Sequence, residues 1–379
     1  MTRIGFAYNQ KPEPTVGLVS ATDADPRADE EPPSSSLSDA YAEWDSAETI
    51  DAVASALSHY GDVIRLEATE EFPERLRAER PDIVFNIAEG LYGTNREAHV
   101  PAICEFLGVP YSGSDPFTLS LCLHKAKTKD FLSAHGIPNA AYALVESDDD
   151  LSDLISGAPR FALDATRFPL FVKPVQEGSS KGITEKNLVR SRNELVEQTR
   201  FLLATYAQPV IVESYLPGAE FTCGVLGNGA NARVLPLVGM NFGSLPAGAL
   251  PIYGYEAKWI WDTPDEPLEI FECPAPIEPR LRLAIEHVVL RAYRVLGCRD
   301  WSRVDVRLDA AGIPNIVEVN PLPGILPNPE DNSCLPKAAR AAGLGYDQLI
   351  QSALLAAAAR YELEFARTPS AQLSAPNAA

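Results

Sequence analysis

Apolar and polar positions along the first 120 residues switch between two periods. Residues 3–8, 62–66 and 83–85 are short runs built around Ile, Val, Leu and Phe, which predict buried strands. Between the first two, Ile50, Val53 and Leu57 recur at helical spacing and predict a helix over 47–60, with Gly61 placed as its stop. Shorter helices are expected at 74–79 and 98–107. Strands alternating with helices predict a parallel sheet, so 1–120 reads as an N-terminal α/β domain. Residues 11–45 interrupt the pattern with Pro, Asp, Glu and Ser, and Asp23, Asp25, Asp29, Glu30 and Glu31 crowd together. An acidic, disordered loop is expected there, over 21–45.

The rhythm then changes. A helix over 125–134 is closed by His135-Gly136-Ile137-Pro138, and a strand (169–174), a helix (192–206) and a strand (210–215) follow. This predicts a small α+β unit over 121–216. Strands dominate from 217 onward, at 221–226, 233–239, 304–308 and 315–319, with a long helix over 279–296 between them. A last helix over 346–365 presents Leu349, Ala353, Leu354 and Ala357 on one face. The third unit is thus set at 217–365, with a flexible tail over 366–379 and no internal repeat.

Composition narrows the function classes. With 32 Lys and Arg against 52 Asp and Glu the net charge is 32 − 52 = −20, which disfavours a nucleic-acid partner. The long apolar stretch 281–296 is broken by Arg282, Glu286, His287, Arg291 and Arg294, which excludes a membrane span of the usual 18–20 residues. No basic start followed by an apolar run opens the chain, so a cytoplasmic protein is expected. Cys104, Cys122, Cys223, Cys273, Cys298 and Cys334 form no C-x-x-C pair and the five histidines are scattered. They read as thiols of a reduced core, without a structural zinc site.

Four elements carry chemistry. In Arg303-Val304-Asp305-Val306 the alternation of a strand puts Arg303 and Asp305 on one face. Glu318 and Asn320 share a face of Val317-Glu318-Val319-Asn320. If the two strands form a hairpin across 309–312, Asp305, Glu318 and Asn320 converge as a hard oxygen set suited to Mg²⁺, with Mn²⁺ as a substitute. Phe171-Val172-Lys173-Pro174 runs into Glu177-Gly178-Ser179-Ser180-Lys181-Gly182, a flexible turn whose N–H groups suit phosphate oxygens. Neither a Walker A sequence nor G-x-G-x-x-G occurs. Glu213 sits in an apolar strand, Glu220 follows a Pro-Gly turn, and Lys125 and Lys127 stand at a domain border. Taken singly, each also reads as an ordinary polar turn or solvated face.

In this order, the elements resemble the ATP-grasp superfamily and, within it, the D-alanine–D-alanine ligases. The resemblance runs from 81 to 342 and includes 109–114, the strand 253–258 and Glu318-Val319-Asn320-Pro321-Leu322-Pro323-Gly324. It implies an ATP-grasp fold behind an N-terminal parallel-sheet domain. It implies that Lys125 and Lys173 contact nucleotide phosphates and that Glu213, Tyr215 and Leu216 lie in the segment holding adenine. Glu220 would bind the ribose, and Ser179 and Ser180 would lie in the loop over the phosphates. Lys258 would approach the γ-phosphate; Asp305, Glu318 and Asn320 would hold magnesium; Arg303 would stabilise the reacting centre. Tyr253, Gly324 and Ser333 would face the amino-acid substrates, Ser333 near the second carboxylate. The activity implied is an ATP- and Mg²⁺-dependent ligation of two amino acids, or an amino acid and a small peptide, through an acyl phosphate. Pairing as a homodimer is implied by the family alone.

The chain departs from the family on the amino-acid side. No glycine-rich Ser-Ala-Glu segment follows the first strand, which continues into Asn9-Gln10-Lys11-Pro12-Glu13. The family's His-Gly and Gly-Glu-Asp-Gly become Glu89-Gly90-Leu91-Tyr92-Gly93-Thr94-Asn95-Arg96-Glu97, and an expected tyrosine is Trp259. Glu89, Arg96 and Glu97 are therefore the candidate pocket residues for altered substrates. A non-catalytic nucleotide-binding relative is the alternative, which the joint presence of Arg303, Asp305, Glu318 and Asn320 disfavours.

Overall fold

The computed structural model describes residues 2–12, 41, 43–178, 180–246, 248–254, 257, 261 and 268–365. Ser179, Lys258, Trp259, most of the expected acidic loop and the expected tail lie outside the described residues.

Three sheets follow one another along the chain. In the first, β1 (Arg3–Tyr8), β2 (Asp62–Glu67) and β3 (Ile83–Asn86) lie in the order β2-β1-β3, and both pairings are parallel. Helices α1 (Ala47–Ser58), α2 (Phe72–Glu79) and α3 (His99–Leu107) alternate with these strands, as the apolar rhythm predicts. Helices α4 (Pro116–Leu123) and α5 (Lys125–Ala134) lead to a second sheet, ordered β4-β7-β5-β6. It is antiparallel: β4 (Tyr142–Val145), β5 (Leu170–Pro174), β6 (Leu188–Val189) and β7 (Val210–Ser214) carry α6 (Asp148–Ser156) and α7 (Arg192–Tyr206) between them. The third sheet joins β8 (Glu220–Leu226), β9 (Arg233–Val234), β10 (Val238–Met240), β11 (Phe271–Glu272), β12 (Trp301–Leu308) and β13 (Pro314–Asn320). Helix α8 (Pro279–Val295) precedes β12, and α9 (Cys334–Ala341) and α10 (Tyr346–Arg360) end the fold.

The second sheet has its own core of Val145, Leu154, Val172, Leu195, Leu202 and Val212. The first and third share one. Ile50, Val53 and Leu57 of α1 pack with Leu349, Ile350, Ala353 and Leu354 of α10. Phe85 meets the fully buried Trp301 edge-on, with ring centroids 5.3 Å apart. The first and third sheets are therefore joined by a core drawn from two distant parts of the chain.

Several elements differ from the sequence expectation for local reasons. The strand expected over 233–239 is two strands, because Pro236 has no N–H to give the ladder. Helix α1 stops at Ser58 with right-handed His59 as its cap, so Gly61 is not a left-handed terminator. A Cβ at position 61 would collide with the Thr2 carbonyl, and close approach is what requires glycine there. The last helix ends at Arg360, not 365. The boundary at 120 falls inside α4, whose start is marked by Asp115, which caps Thr118 N–H, and by Pro116.

Asp300 ties the first sheet's flank to the C-terminal helix. It is fully buried, with φ +65°. Its Oδ2 accepts from Gly113 N–H at 2.8 Å and from Arg360 Nη2 at 2.7 Å; its Oδ1 accepts from Asn228 Nδ2 at 2.7 Å and Arg360 Nε at 3.0 Å. Removing one partner of a buried pair leaves the other charge uncompensated, so Asp300→Ala is expected to destabilise the fold by about 3–5 kcal/mol. Urea denaturation of the variant beside the wild type measures the loss.

Candidate active site

Helix α5 and the second sheet supply one wall. Lys125 and Lys129 are four residues apart, so α5 presents both on one face. Lys129 Nζ lies 2.7 Å from Glu213 Oε1, and Lys173 Nζ lies 2.8 Å from Glu213 Oε2. Lys125 Nζ pairs with Glu318 at 2.8 Å and donates to the Glu177 carbonyl at 2.6 Å. All three lysines and Glu213 are buried. Burial alone would raise the Glu213 carboxyl, but Lys129 and Lys173 more than offset it and hold it down to about 2. Glu318 is likewise brought down to about 2, by Lys125 and Lys173 against burial. Lys173 is pushed down by burial, yet Glu213 and Glu318 outweigh that and raise it.

The third sheet supplies the opposite wall. Its register sets Asp305 across from Thr222 on one side and Glu318 on the other, and Arg303 across from Asn320. Cross-strand partners share a face, so the charged side chains converge. The bulge in β13, between Asp305 and Val306 of the partner strand, keeps Glu318 and Asn320 on that face. Arg303 Nη2 donates to Asp305 Oδ2 at 3.2 Å, and Thr222 donates to Asp305 Oδ1 at 2.9 Å. Arg307 extends the same alternation: it donates to Glu220 Oε2 at 2.7 Å, to the Tyr215 hydroxyl at 2.8 Å and to the Pro251 carbonyl at 3.0 Å. Burial raises the Glu220 carboxyl even against Arg307.

These walls enclose a cavity of about 800 Å³. Lys125, Lys173, Glu213, Tyr215, Leu216 and Glu220 line it, as do Arg303, Asp305, Glu318 and Asn320. Ser180, Glu89, Glu97, Tyr253, Gly324 and Ser333 also line it. Ser333 accepts from Leu326 N–H at 3.2 Å and precedes α9 as its cap residue. Arg96 is the exception: it is buried but does not line the cavity. Its guanidinium holds both oxygens of Glu43 at 3.0 Å and the Gln176 carbonyl at 3.1 Å.

Glu43 was not legible as a site residue. It also takes Lys181 at 3.1 Å and lies against Gly178, where any side chain would collide with its carboxylate. On the other flank, Ser180 donates to the Tyr253 carbonyl at 3.2 Å, with φ +61°. The turn over 177–182 is thus gripped from both sides. Lys129 and Arg307 were also missed, although the spacing from Lys125 and the alternation from Arg303 both carried them.

The donor set fits a hard divalent cation. Asp305 and Glu318 are cross-strand neighbours, Glu318 is ionised at neutral pH, and Asn320 Nδ2 lies 3.4 Å from Asp305 Oδ2. Among the described residues no three His, Cys, Asp or Glu side chains gather as a metal site, so two carboxylates and an amide are the set available. Buried lysines beside them suit polyanionic phosphates.

A carboxyl held low stabilises the fold above its ordinary value of 4.5 and loses that contribution as pH falls toward 2. Wild-type stability is therefore expected to drop between about pH 4.5 and 2 partly through Glu213, by the linkage rule. Glu213→Gln should be less stable at pH 6 and flatter across that acid range. Urea titrations at stepped pH check both.

Comparison with known proteins agrees with this geometry. Residues 131–355 match the family model described as "D-ala D-ala ligase C-terminus". The chain is 33% identical over 331 residues to a Sinorhizobium fredii protein named "Uncharacterized protein y4sG", covering 84% of this chain and 90% of that one. It is 33% identical over 303 residues to a D-alanine–D-alanine ligase of Mannheimia succiniciproducens, covering 79% and 89%. In fold it resembles a solved D-alanine–D-alanine ligase of Bacillus anthracis, with TM-score 0.66 at 23% identity over 96% of this chain and 99% of that one. A structure of that ligase complexed with ATP gives TM-score 0.64 at 22% identity, with the same coverage. Among the described residues no helix is long and apolar enough to cross a membrane. The chain belongs to the D-alanine–D-alanine ligase family and is an ATP-dependent, ADP-forming ligase with an ATP-grasp fold.

Proposed function

We propose that the enzyme joins the carboxylate of one amino acid to the amine of a second amino acid or small peptide through an acyl phosphate. The observation that carries this reading is the meeting of Arg303, Asp305, Glu318, Lys125 and Lys173 on one cavity of about 800 Å³. ATP would lie between the units set at 121–216 and 217–365, with substrates beside the unit at 1–120.

In this reading Lys125 and Lys173 neutralise the nucleotide phosphates, so that an anionic carboxylate approaches the γ-phosphate. Tyr215, Leu216 and Glu213 flank the adenine, and Glu220 takes the ribose hydroxyls. Asp305, Glu318 and Asn320 would hold Mg²⁺, which when bound supplies charge neutralisation at the phosphates. Arg303 is held by Asp305 at 3.2 Å, which aims its fork of donors at the oxyanion formed when the amine attacks. Ser179 and Ser180 close over the phosphates and exclude water, and Lys258 approaches the γ-phosphate. Tyr253, Gly324 and Ser333 contact the amino-acid substrates, whereas Arg96 acts behind the wall through Glu43. Family membership supports a cytoplasmic, homodimeric enzyme.

The amino-acid side differs from the family pattern at Glu89 and Glu97, which points away from a simple pair of D-alanines. Phosphate release from ATP and Mg²⁺ against paired D- and L-amino acids, with mass spectrometry of the products, tests the proposal. The expected result is release that requires a divalent cation and a particular pair. Arg303→Ala should lower kcat by about 10²–10³-fold, as loss of an oxyanion donor does. Absence of ADP formation with every pair contradicts it.

A further inference from the structure

Carboxylates at one end of the cavity differ from those on its sheet walls. On the second and third sheets each lining carboxylate has a cation: Glu213 has Lys129 and Lys173, Glu318 has Lys125, Glu220 has Arg307 and Asp305 has Arg303. Glu330 and Asp331, in the turn before α9, also line the cavity without an ion pair among the described residues. At the end built from 43–45 and 89–97, Asp45, Glu89 and Glu97 line the wall without a hydrogen-bonded or ion-paired cation among the described residues. Glu97 is the decisive group. It is only 9% exposed, faces the cavity and has no such partner. The neighbouring guanidinium of Arg96 is turned away, bound to both oxygens of Glu43 and to the Gln176 carbonyl.

A buried carboxylate without a partner is costly unless a ligand supplies one. Burial pushes Glu97 up to about 8 and Asp45 to about 7, and burial with repulsion from Glu97 and Glu43 pushes Glu89 upward. The three do not gather closely enough to form a metal site. Lys11 acts on Asp45 and lowers it against burial. Glu97 and Glu89 are left as two carboxyls that a cation entering this end would draw into the ionised form.

We propose that this acidic end binds a second ammonium group on an amino-acid substrate, so that the ligase takes a dibasic amino acid. The α-ammonium and the side-chain ammonium together ionise and pair with Glu97 and Glu89, while the carboxylate of the same molecule faces the lysines and Arg303. A neutral amino acid brings a single ammonium and leaves one of the two carboxyls protonated and without a charged partner. The inference rests on the ligase reading of the cavity but makes a separate claim about recognition.

The test uses the full chain with ADP and Mg²⁺. Calorimetry compares 2,4-diaminobutyrate, ornithine and lysine, in both chiralities, with 2-aminobutyrate, norvaline and norleucine. Phosphate release with ATP is measured on the same panel. At least one dibasic compound should bind about tenfold or more tighter than its neutral counterpart, the scale of one charge-assisted contact. Glu97→Gln and, independently, Glu89→Gln should raise KM for that compound about tenfold and leave KM for ATP in place; thermal melting confirms that each variant folds. Neutral counterparts binding as tightly, or both variants keeping the preference, overturn the proposal. Selective binding without phosphate release sustains the subsite and defeats the ligase reading; release with neutral amino acids preferred does the reverse.

Discussion

Buried lysines held ionised by buried carboxylates are the constraint on which this structure depends. Burial alone would lower Lys173 and raise Glu213 and Glu318; their mutual attraction reverses all three. The pairs Lys129–Glu213, Lys173–Glu213 and Lys125–Glu318 stand at 2.7–2.8 Å. Helix α5, strands β5 and β7 of the second sheet and β13 of the third must therefore keep their relative positions. Lys173 and Glu213 join neighbouring strands of one sheet, Lys129 ties α5 to that sheet, and Lys125 with Glu318 links α5 to the third sheet. A chain with net charge −20 thus gathers three buried lysines on one wall of its cavity.

The first unit completes that pocket from outside. Glu43 holds Arg96 and Lys181 and presses on Gly178, so the turn over the phosphate site is attached to the end of the acidic insertion. On the other side, Ser180 reaches the Tyr253 carbonyl. A short stretch next to β1 therefore shapes both the closing turn and the amino-acid end.

Much of this was legible in the sequence. The alternation of Arg303 and Asp305, the strand of Glu318 and Asn320 and the Asp309–Gly312 turn allowed a hairpin, and the pairing of β12 with β13 bears it out. Helices α5 and α7 fall on the expected ranges 125–134 and 192–206, the first ended by His135-Gly136-Ile137-Pro138. What escaped notice depended on partners distant along the chain. Glu43 sits in a polar stretch without periodicity, and only its docking on Arg96 gives it a role. Helices α4 and α9 are eight residues each, too short for periodicity to declare them, though Asp115-Pro116 marked the first. Pro236 and the Thr2 carbonyl decided local details that hydrophobic pattern cannot carry.

The central claim is that one cavity activates a carboxylate with ATP and passes it to an amine. Isotope transfer tests it most directly: amino acids labelled with ¹⁸O in the carboxyl group are turned over with ATP and Mg²⁺, and the released phosphate is analysed by mass spectrometry. The account predicts that one ¹⁸O appears in the phosphate for each peptide bond formed. Peptide product accompanied by unlabelled phosphate, or by labelled AMP, would contradict it.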